Sequence, residues 1–306
     1  MRANSAFRKY TAIIGTVLIV LLIGTELSLR IFMGRPALYV ADAEIEYMFQ
    51  PDQHLHRFGR EVKINAYGMR SEDLADADAD GRFRVLVLGD SVVNGGNLTD
   101  QSALATDLLS RQQASAGGPI EALNISARSW GPGNLLAYLN RFGTFDADMA
   151  ILVLSRHDLG DDRTFAPLDK NTYPTTAPMF ATQEFLDRYV QPYLPFKWSS
   201  PPPSGGAAFS GDAETSLPVL LDKLASLPGG VCLILHYETG EQDFEPMDMQ
   251  KLAALADARS IQVVDDRAFM SAASFRDDIH LNDAGQRGLL QAMRQCTNLP
   301  AFLESP

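Results

Sequence analysis

The sequence predicts an α/β domain on a five-stranded, mostly parallel sheet with helices on both faces, preceded by one N-terminal transmembrane helix. Three observations carry this expectation. Short β-branched runs at 83–88, 120–125, 149–154, 231–236 and 261–264 alternate with segments of helical spacing near 101–114, 133–142, 215–226, 248–257 and 282–295. Strands alternating with helices imply a parallel sheet covered on both faces. The stretch 85–88 is apolar throughout and stops at Gly89, reading as a buried strand. Ahead of all this, residues 10–25 form an uncharged run rich in Ile, Val and Leu.

That run has 16 residues, slightly short of the ~20 a bilayer span needs. Flanking polar residues, Glu26 and Arg30 among them, can snorkel outward to make up the length. No small-x-small cleavage site follows, so an uncleaved signal anchor over 10–33 is preferred to a cleaved signal peptide. Arg2, Arg8 and Lys9 place a cytoplasmic tail at 1–9 and everything after the anchor outside. The expected location is therefore the cytoplasmic membrane, single-pass, with the α/β domain in the periplasm or beyond.

Residues 34–81 read as a polar connector. Within it Asn65 to Arg70 forms a defined turn, and the alternating Ala and Asp of 75–80 form a solvated tether. The remainder, 82–306, is the main domain. Its span 156–214 is too long for a simple crossover and reads either as a lid facing substrate or as a surface excursion. The Pro, Ser and Gly of 199–206 have no means of packing a core, so mobility is expected over 199–214. Cys232 and Cys296 are the only cysteines. In an oxidising compartment they can pair; two separately buried thiols are equally compatible with their apolar settings.

A net charge of -12, from 38 acidic against 26 basic residues, argues against a nucleic-acid partner, since no basic stripe exists to neutralise phosphates. His54 and His56 are a weak metal motif without a third ligand, and Gly95 and Gly96 lack the lysine of a phosphate loop. No metal and no cofactor are expected.

The chemistry lies in two short pieces. Gly89, Asp90 and Ser91 end the first strand. Gly lets the backbone turn, and Ser91 then falls at a helix start where free N–H groups stabilise developing negative charge. Asp277 precedes His280 by three residues at the mouth of the last helix. The carboxylate can accept Nδ1–H of His280, leaving Nε2 to deprotonate Ser91. Asp265 and Asp266 end a strand but lack that spacing to His280; His236 could border the pocket, although a packed or surface role is the simpler reading.

Over residues 83–296 the chain resembles the SGNH (GDSL-type) hydrolases. The resemblance implies a flavodoxin-like three-layer α/β/α fold and deacylation of esters, including acetyl groups on polysaccharides and cell-wall sugars. It makes Ser91 the nucleophile, His280 the base and Asp277 the orienting acid. The anchor followed by Asn65, Gly68 and Arg70 resembles a membrane-anchored bacterial branch associated with extracellular polysaccharide. Two oxyanion positions depart from the family pattern. Asn124 is followed five residues later by Ser129 rather than Gly, with Gly131 as the alternative two residues on. His157 stands where the third block carries Asn, and a ring N–H can donate in its place. The expected oxyanion donors are thus Ser91, Ser129 and His157. The expected partners are an acylated glycan or small ester, the inner membrane and polysaccharide-biosynthesis proteins. The rival expectation is a catalytically inactive glycan-binding subunit of an export or modification complex.

Overall fold

The computed structural model describes residues 2–75, 81–112, 118–194, 211–241, 245–297 and 299. It begins with a long helix, α1 (Arg2–Met33). Its stretch Arg8–Met33 is long and apolar enough to cross a bilayer. Ile13, Val17, Leu21 and their neighbours stand exposed along it, with no protein packed around them.

Within 34–81, expected as a polar connector, residues 39–64 form regular structure. They fold into two antiparallel hairpins, β1 (Tyr39–Asp42) with β2 (Glu46–Phe49), and β3 (Gln53–Arg57) with β4 (Arg60–Ile64). Tyr39, Tyr47, Phe49, Leu55, Val62 and Ile64 are buried in the main core. Each side chain so buried contributes about 1.5–3 kcal/mol. The alternation of inward apolar and outward polar residues averages to a polar composition, which is why these strands read as a linker. The expected tether falls largely on 76–80, outside the described residues.

The turn after β4 was anticipated and has a mechanical purpose. Asn65 Oδ1 accepts the N–H groups of Tyr67 at 3.0 Å and Met69 at 3.2 Å. Gly68 has φ +74°, and a Cβ there would stand 2.9 Å from the Phe49 carbonyl oxygen, which favours glycine. Arg70 is thereby aimed into the protein interior.

The central sheet comprises β5 (Phe83–Gly89), β6 (Ile120–Ser126), β7 (Met149–Leu154), β8 (Val231–Leu235) and β9 (Gln262–Asp265). Its order is β6-β5-β7-β8-β9, and every neighbouring pair is parallel. Counted within the sheet this is 2-1-3-4-5, the doubly wound flavodoxin-like order. Leu86 and Leu88 face one apolar cluster, Val85 and Val87 the other, as a strand buried on both faces demands.

Helices cover both faces. The Val85 side packs against α2 (Ser91–Asn94) and α3 (Ala105–Ser110), and later α8 (Asp283–Met293). The Leu86 side packs against α4 (Pro132–Phe142), α6 (Asp212–Ala225) and α7 (Met247–Asp257), together with the two hairpins. Between them in sequence, α5 (Ala181–Phe185) lies in the long span 156–214. Residues 195–210 of that span, which carry most of the segment expected to be mobile, lie outside the described residues; Gly211 caps α6 and 212–214 begin it. Cys232 on β8 and Cys296 beyond α8 form a disulfide, with Cα atoms 5.8 Å apart.

Within the span 156–214, residues 181–189 are tied to α1 and β3, while His157 lies beside Asp90. Arg57, fully buried, donates through Nη2 to Glu184 Oε1 at 2.6 Å and to Tyr189 Oη at 3.0 Å. Glu26 of α1 accepts the N–H groups of Ala181 and Thr182. The charges interrupting the apolar run, which the sequence left to snorkel, are partners of this segment.

Candidate active site

Strand β5 ends where parallel sheets of this order bind ligands, outside the carboxyl ends of the strands beside the switch in strand order. A Cβ on Gly89 would lie 2.5 Å from Val93 Cγ2 and 3.1 Å from the Val153 carbonyl, so the chain turns into α2 only because Gly89 has none. Asp90 caps α2, its Oδ1 accepting Val92 N–H at 2.9 Å. Ser91 is the first residue of the helix. Behind it, Arg70 Nη1 donates to the carbonyls of Asn94 and Gly96, both at 2.5 Å, and Nη2 to that of Thr99 at 2.7 Å. Burial pushes the Arg70 pKa down to about 10, which leaves it charged at neutral pH.

The loop before α8 is held by Asn282, whose Oδ1 accepts the N–H groups of Ala284 and Gly285 and whose Nδ2 donates to the carbonyls of Ala273 and Phe275. Gln286, fully buried on α8, accepts from Ala105 N–H at 2.9 Å and donates to the Val92 carbonyl at 3.0 Å. These bonds fix the α8 end of the site against the Ser91 end.

Across that junction, residues 189 positions apart in sequence meet. His280 Nε2 lies 3.0 Å from Ser91 Oγ, and His280 Nδ1 lies 2.8 Å from Asp277 Oδ2. Asp277 Oδ1 also accepts the N–H groups of Ile279 at 3.1 Å and His280 at 2.8 Å. Partial burial works against the Asp277 charge, but the backbone donors and the ring hold its pKa below the usual carboxylate value. An ionised Asp277 fixes the proton on Nδ1 and leaves Nε2 as an acceptor toward Ser91. The arrangement can transfer a proton from Ser91 during nucleophilic attack.

Two backbone donors at the expected oxyanion positions are distinguishable. The Gly131 N–H is already given to Asn134 Oδ1 at 3.0 Å. Ser91 N–H and Ser129 N–H are taken by no acceptor among the described residues. Ser129 adopts φ +56°, the left-handed conformation that glycine takes without strain. Its loop is clamped by the β1–β2 hairpin: Tyr47 Oη donates to the Arg128 carbonyl at 2.7 Å, and Trp130 Nε1 to the Tyr47 carbonyl at 2.9 Å. Asn124, fully buried, donates to the Val93 carbonyl and Thr106 Oγ1, tying β6 to α2.

His157 does not present Nε2 freely to an oxyanion. That atom lies 3.1 Å from Asp90 Oδ2, which in turn lies 3.1 Å from Ser91 Oγ. Burial opposes a charge on His157, but the hydrogen bond to Asp90 and the acids Asp158 and Asp161 beside it outweigh that, raising its pKa to about 10. Burial likewise acts against the Asp90 charge, and the His157 bond and charge more than offset it, so its pKa is lowered. The same burial pushes Asp158 well above the carboxylate range and Asp161 up to about 6. The imidazolium therefore neutralises a buried carboxylate next to the place where negative charge would develop on Ser91. Asp90, His157 and Asp158 bring their ligand-type atoms within 4.8 Å of one another.

His54 and His56 project from β3 with rings 6.2 Å apart, and His54 pairs with Glu61 at 2.7 Å. His236 and Asp266, which sequence reasoning set aside, form a buried pair, Nδ1 to Oδ2 at 2.5 Å. His236 Nε2 lies 3.0 Å from the Ile279 carbonyl, on the residue before His280. Only the position of both residues at strand ends signalled this. A cavity of about 800 Å³ is lined by Pro36, Leu168, Pro178, Met179 and Arg188 and does not include Ser91. Among the described residues, Ser91 is half-buried and the side chains of His280 and Asp277 are 37% and 57% exposed.

No family model matches the sequence, and no curated relative does. Solved structures similar to it include an acetylxylan esterase from Geobacillus stearothermophilus, at 14% identity over 74% of this chain and 98% of that one, TM-score 0.47. A lipase/acylhydrolase from Enterococcus faecalis is 15% identical over 73% and 99% respectively, TM-score 0.44. A member of the lipolytic G-D-S-L family from Veillonella parvula is 13% identical over 69% and 95%, TM-score 0.39. All three likenesses are remote.

Proposed function

We propose that this protein is a serine esterase acting on acyl, above all acetyl, esters of an extracellular or cell-wall glycan. The observation that carries the reading is the continuous relay Ser91–His280–Asp277, with contacts of 3.0 and 2.8 Å between groups from opposite ends of the domain. Ser91 Oγ attacks the acyl carbonyl while its proton passes to His280 Nε2. The resulting oxyanion is held by the N–H groups of Ser91 and Ser129, with the His157 imidazolium cancelling the Asp90 charge nearby. Collapse expels the sugar hydroxyl, which takes the proton from His280. Water, activated by His280, then releases the acid from acyl-Ser91.

An open site suits a polymer that cannot enter a deep pocket. It also favours water over a second sugar as acceptor, since nucleophilic water reaches an exposed acyl-enzyme readily; an O-acyltransferase would use the same three residues. The anchor helix and the Cys232–Cys296 disulfide support a position outside the cytoplasm, where such bonds persist. The test is acetate release from acetylated oligosaccharides by the full chain in detergent. The reading expects release that Ser91→Ala abolishes. Equal release from both chains would overturn it.

A further inference from the structure

We infer that the apolar face of residues 179–193 is a membrane-contacting surface, seated in the interface of the same bilayer that α1 enters. The inference rests on α1 being a membrane span and goes beyond it. Met179 and Tyr193 are 76% and 87% exposed, and Phe180, Leu186 and Tyr189 on the same segment are exposed as well. Apolar groups of this size in one short segment are costly in water.

The segment is fastened to α1 at a definite depth. Glu26 Oε1 accepts Ala181 N–H at 2.9 Å, and Oε2 accepts Thr182 N–H at 3.0 Å and the Thr182 hydroxyl. Arg30 Nε donates to Glu26 at 2.6 Å, and Arg30 Nη2 to the Met179 carbonyl. The uncharged run 10–25 is only ~24 Å long at the helical rise, against a hydrocarbon thickness of ~30 Å. The hydrocarbon boundary therefore falls at or beyond Glu26, where a lone carboxylate would be expensive. Arg30 and the two backbone N–H groups neutralise and satisfy it there, which draws residues 179–182 to the same depth.

A chain of rings makes the surface continuous with α1. Phe32 meets Phe58 at 5.9 Å between centroids, Phe58 meets Tyr189 at 5.9 Å, and Tyr189 meets Phe185 at 6.2 Å. Aromatic rings with polar tips favour the headgroup level. The occupant of this face is accordingly lipid.

Site-directed spin labels on the full chain in phosphatidylcholine–phosphatidylglycerol vesicles test this. Both native cysteines are in the disulfide, so Met179→Cys and Tyr193→Cys give unique labels. Ile19→Cys on α1 and the water-exposed Val219→Cys on α6 serve as references. Collision with oxygen, which concentrates in lipid, is compared with collision with a water-soluble nickel chelate. Labels at 179 and 193 should be oxygen-accessible and several-fold less nickel-accessible than 219, at depths between 219 and 19. Labels at 179 and 193 as nickel-accessible as 219, with 19 in lipid, would overturn the inference alone. A nickel-accessible label at 19 would overturn it together with the membrane span.

Discussion

His157 meets the carboxylate of Asp90, Nε2 to Oδ2 at 3.1 Å, immediately beside Ser91. The pair makes stability depend on pH with a definite sign. The His157 pKa rises from 6.5 unfolded to about 10 folded, so its contribution is complete below ~6.5 and is lost as pH rises through about 10. The Asp90 pKa is depressed, so its contribution is present above the ordinary carboxylate value and fades as pH falls through the folded one. Thermal melts across pH 6–11 should show an alkaline decline that His157→Ala and His157→Asn both flatten. His157→Ala should also lower kcat by ~10²–10³ with KM nearly unchanged, as loss of transition-state electrostatics requires. His157→Asn, whose neutral amide can donate to Asp90 but cannot cancel its charge, should fall between the parent and His157→Ala. An alkaline decline unaltered in either variant would remove the ion pair from the account.

Ser129 is strained by its own backbone, with φ +56°. Ser129→Gly should therefore keep kcat and gain up to about 1 kcal/mol of stability, read as a higher Tm. Ser129→Pro deletes the N–H and fixes φ near −65°, and should abolish turnover. Should the glycine variant be as inactive as the proline one, the side chain rather than the backbone donor would be the working part.

The strands and the Ser91–His280–Asp277 meeting were legible because each rests on a local pattern: an apolar run ending in Gly, and a carboxylate three residues before an imidazole. The hairpins at 39–64 were not, since strands of four or five residues with one wet face carry too little apolar signal. Asp90–His157 and Glu26–Thr182 join residues 67 and 156 positions apart, and no local spacing announces such pairs. Ser129 could be aligned with a family glycine, but that its register rather than that of Gly131 leaves a free N–H depends on where Asn134 points.

His236 Nε2 holds the Ile279 carbonyl at 3.0 Å, on the residue before His280, and a positioning role for it can be tested. Both of its ring nitrogens face acceptors, which an imidazolium alone can satisfy; burial opposes that charge, and Asp266 more than restores it, so the pKa is raised. In Asp266→Asn the ring should lose its proton at lower pH than in the parent and release one of its two bonds. The expected outcome is a kcat whose fall with rising pH begins at lower pH in the variant than in the parent, with KM unchanged. A uniformly lowered kcat with the parental pH profile would mean that the pair serves packing only.

If Ser91 and His280 share one step, Ser91→Ala and His280→Ala should each reduce kcat by ~10⁴ or more, and the double variant should lose little beyond either. Additive losses would separate the two residues mechanistically.

Activation of Ser91 by His280 is the central claim, and covalent labelling by a fluorophosphonate reads it without knowledge of the natural ester. Peptide mass spectrometry of the labelled full chain should find the adduct on Ser91, formed fast in the parent and slowed by orders of magnitude in His280→Ala. A parent left unlabelled, or labelled at the same rate once His280 is gone, would contradict the claim and leave the chain a binding protein with an inert serine.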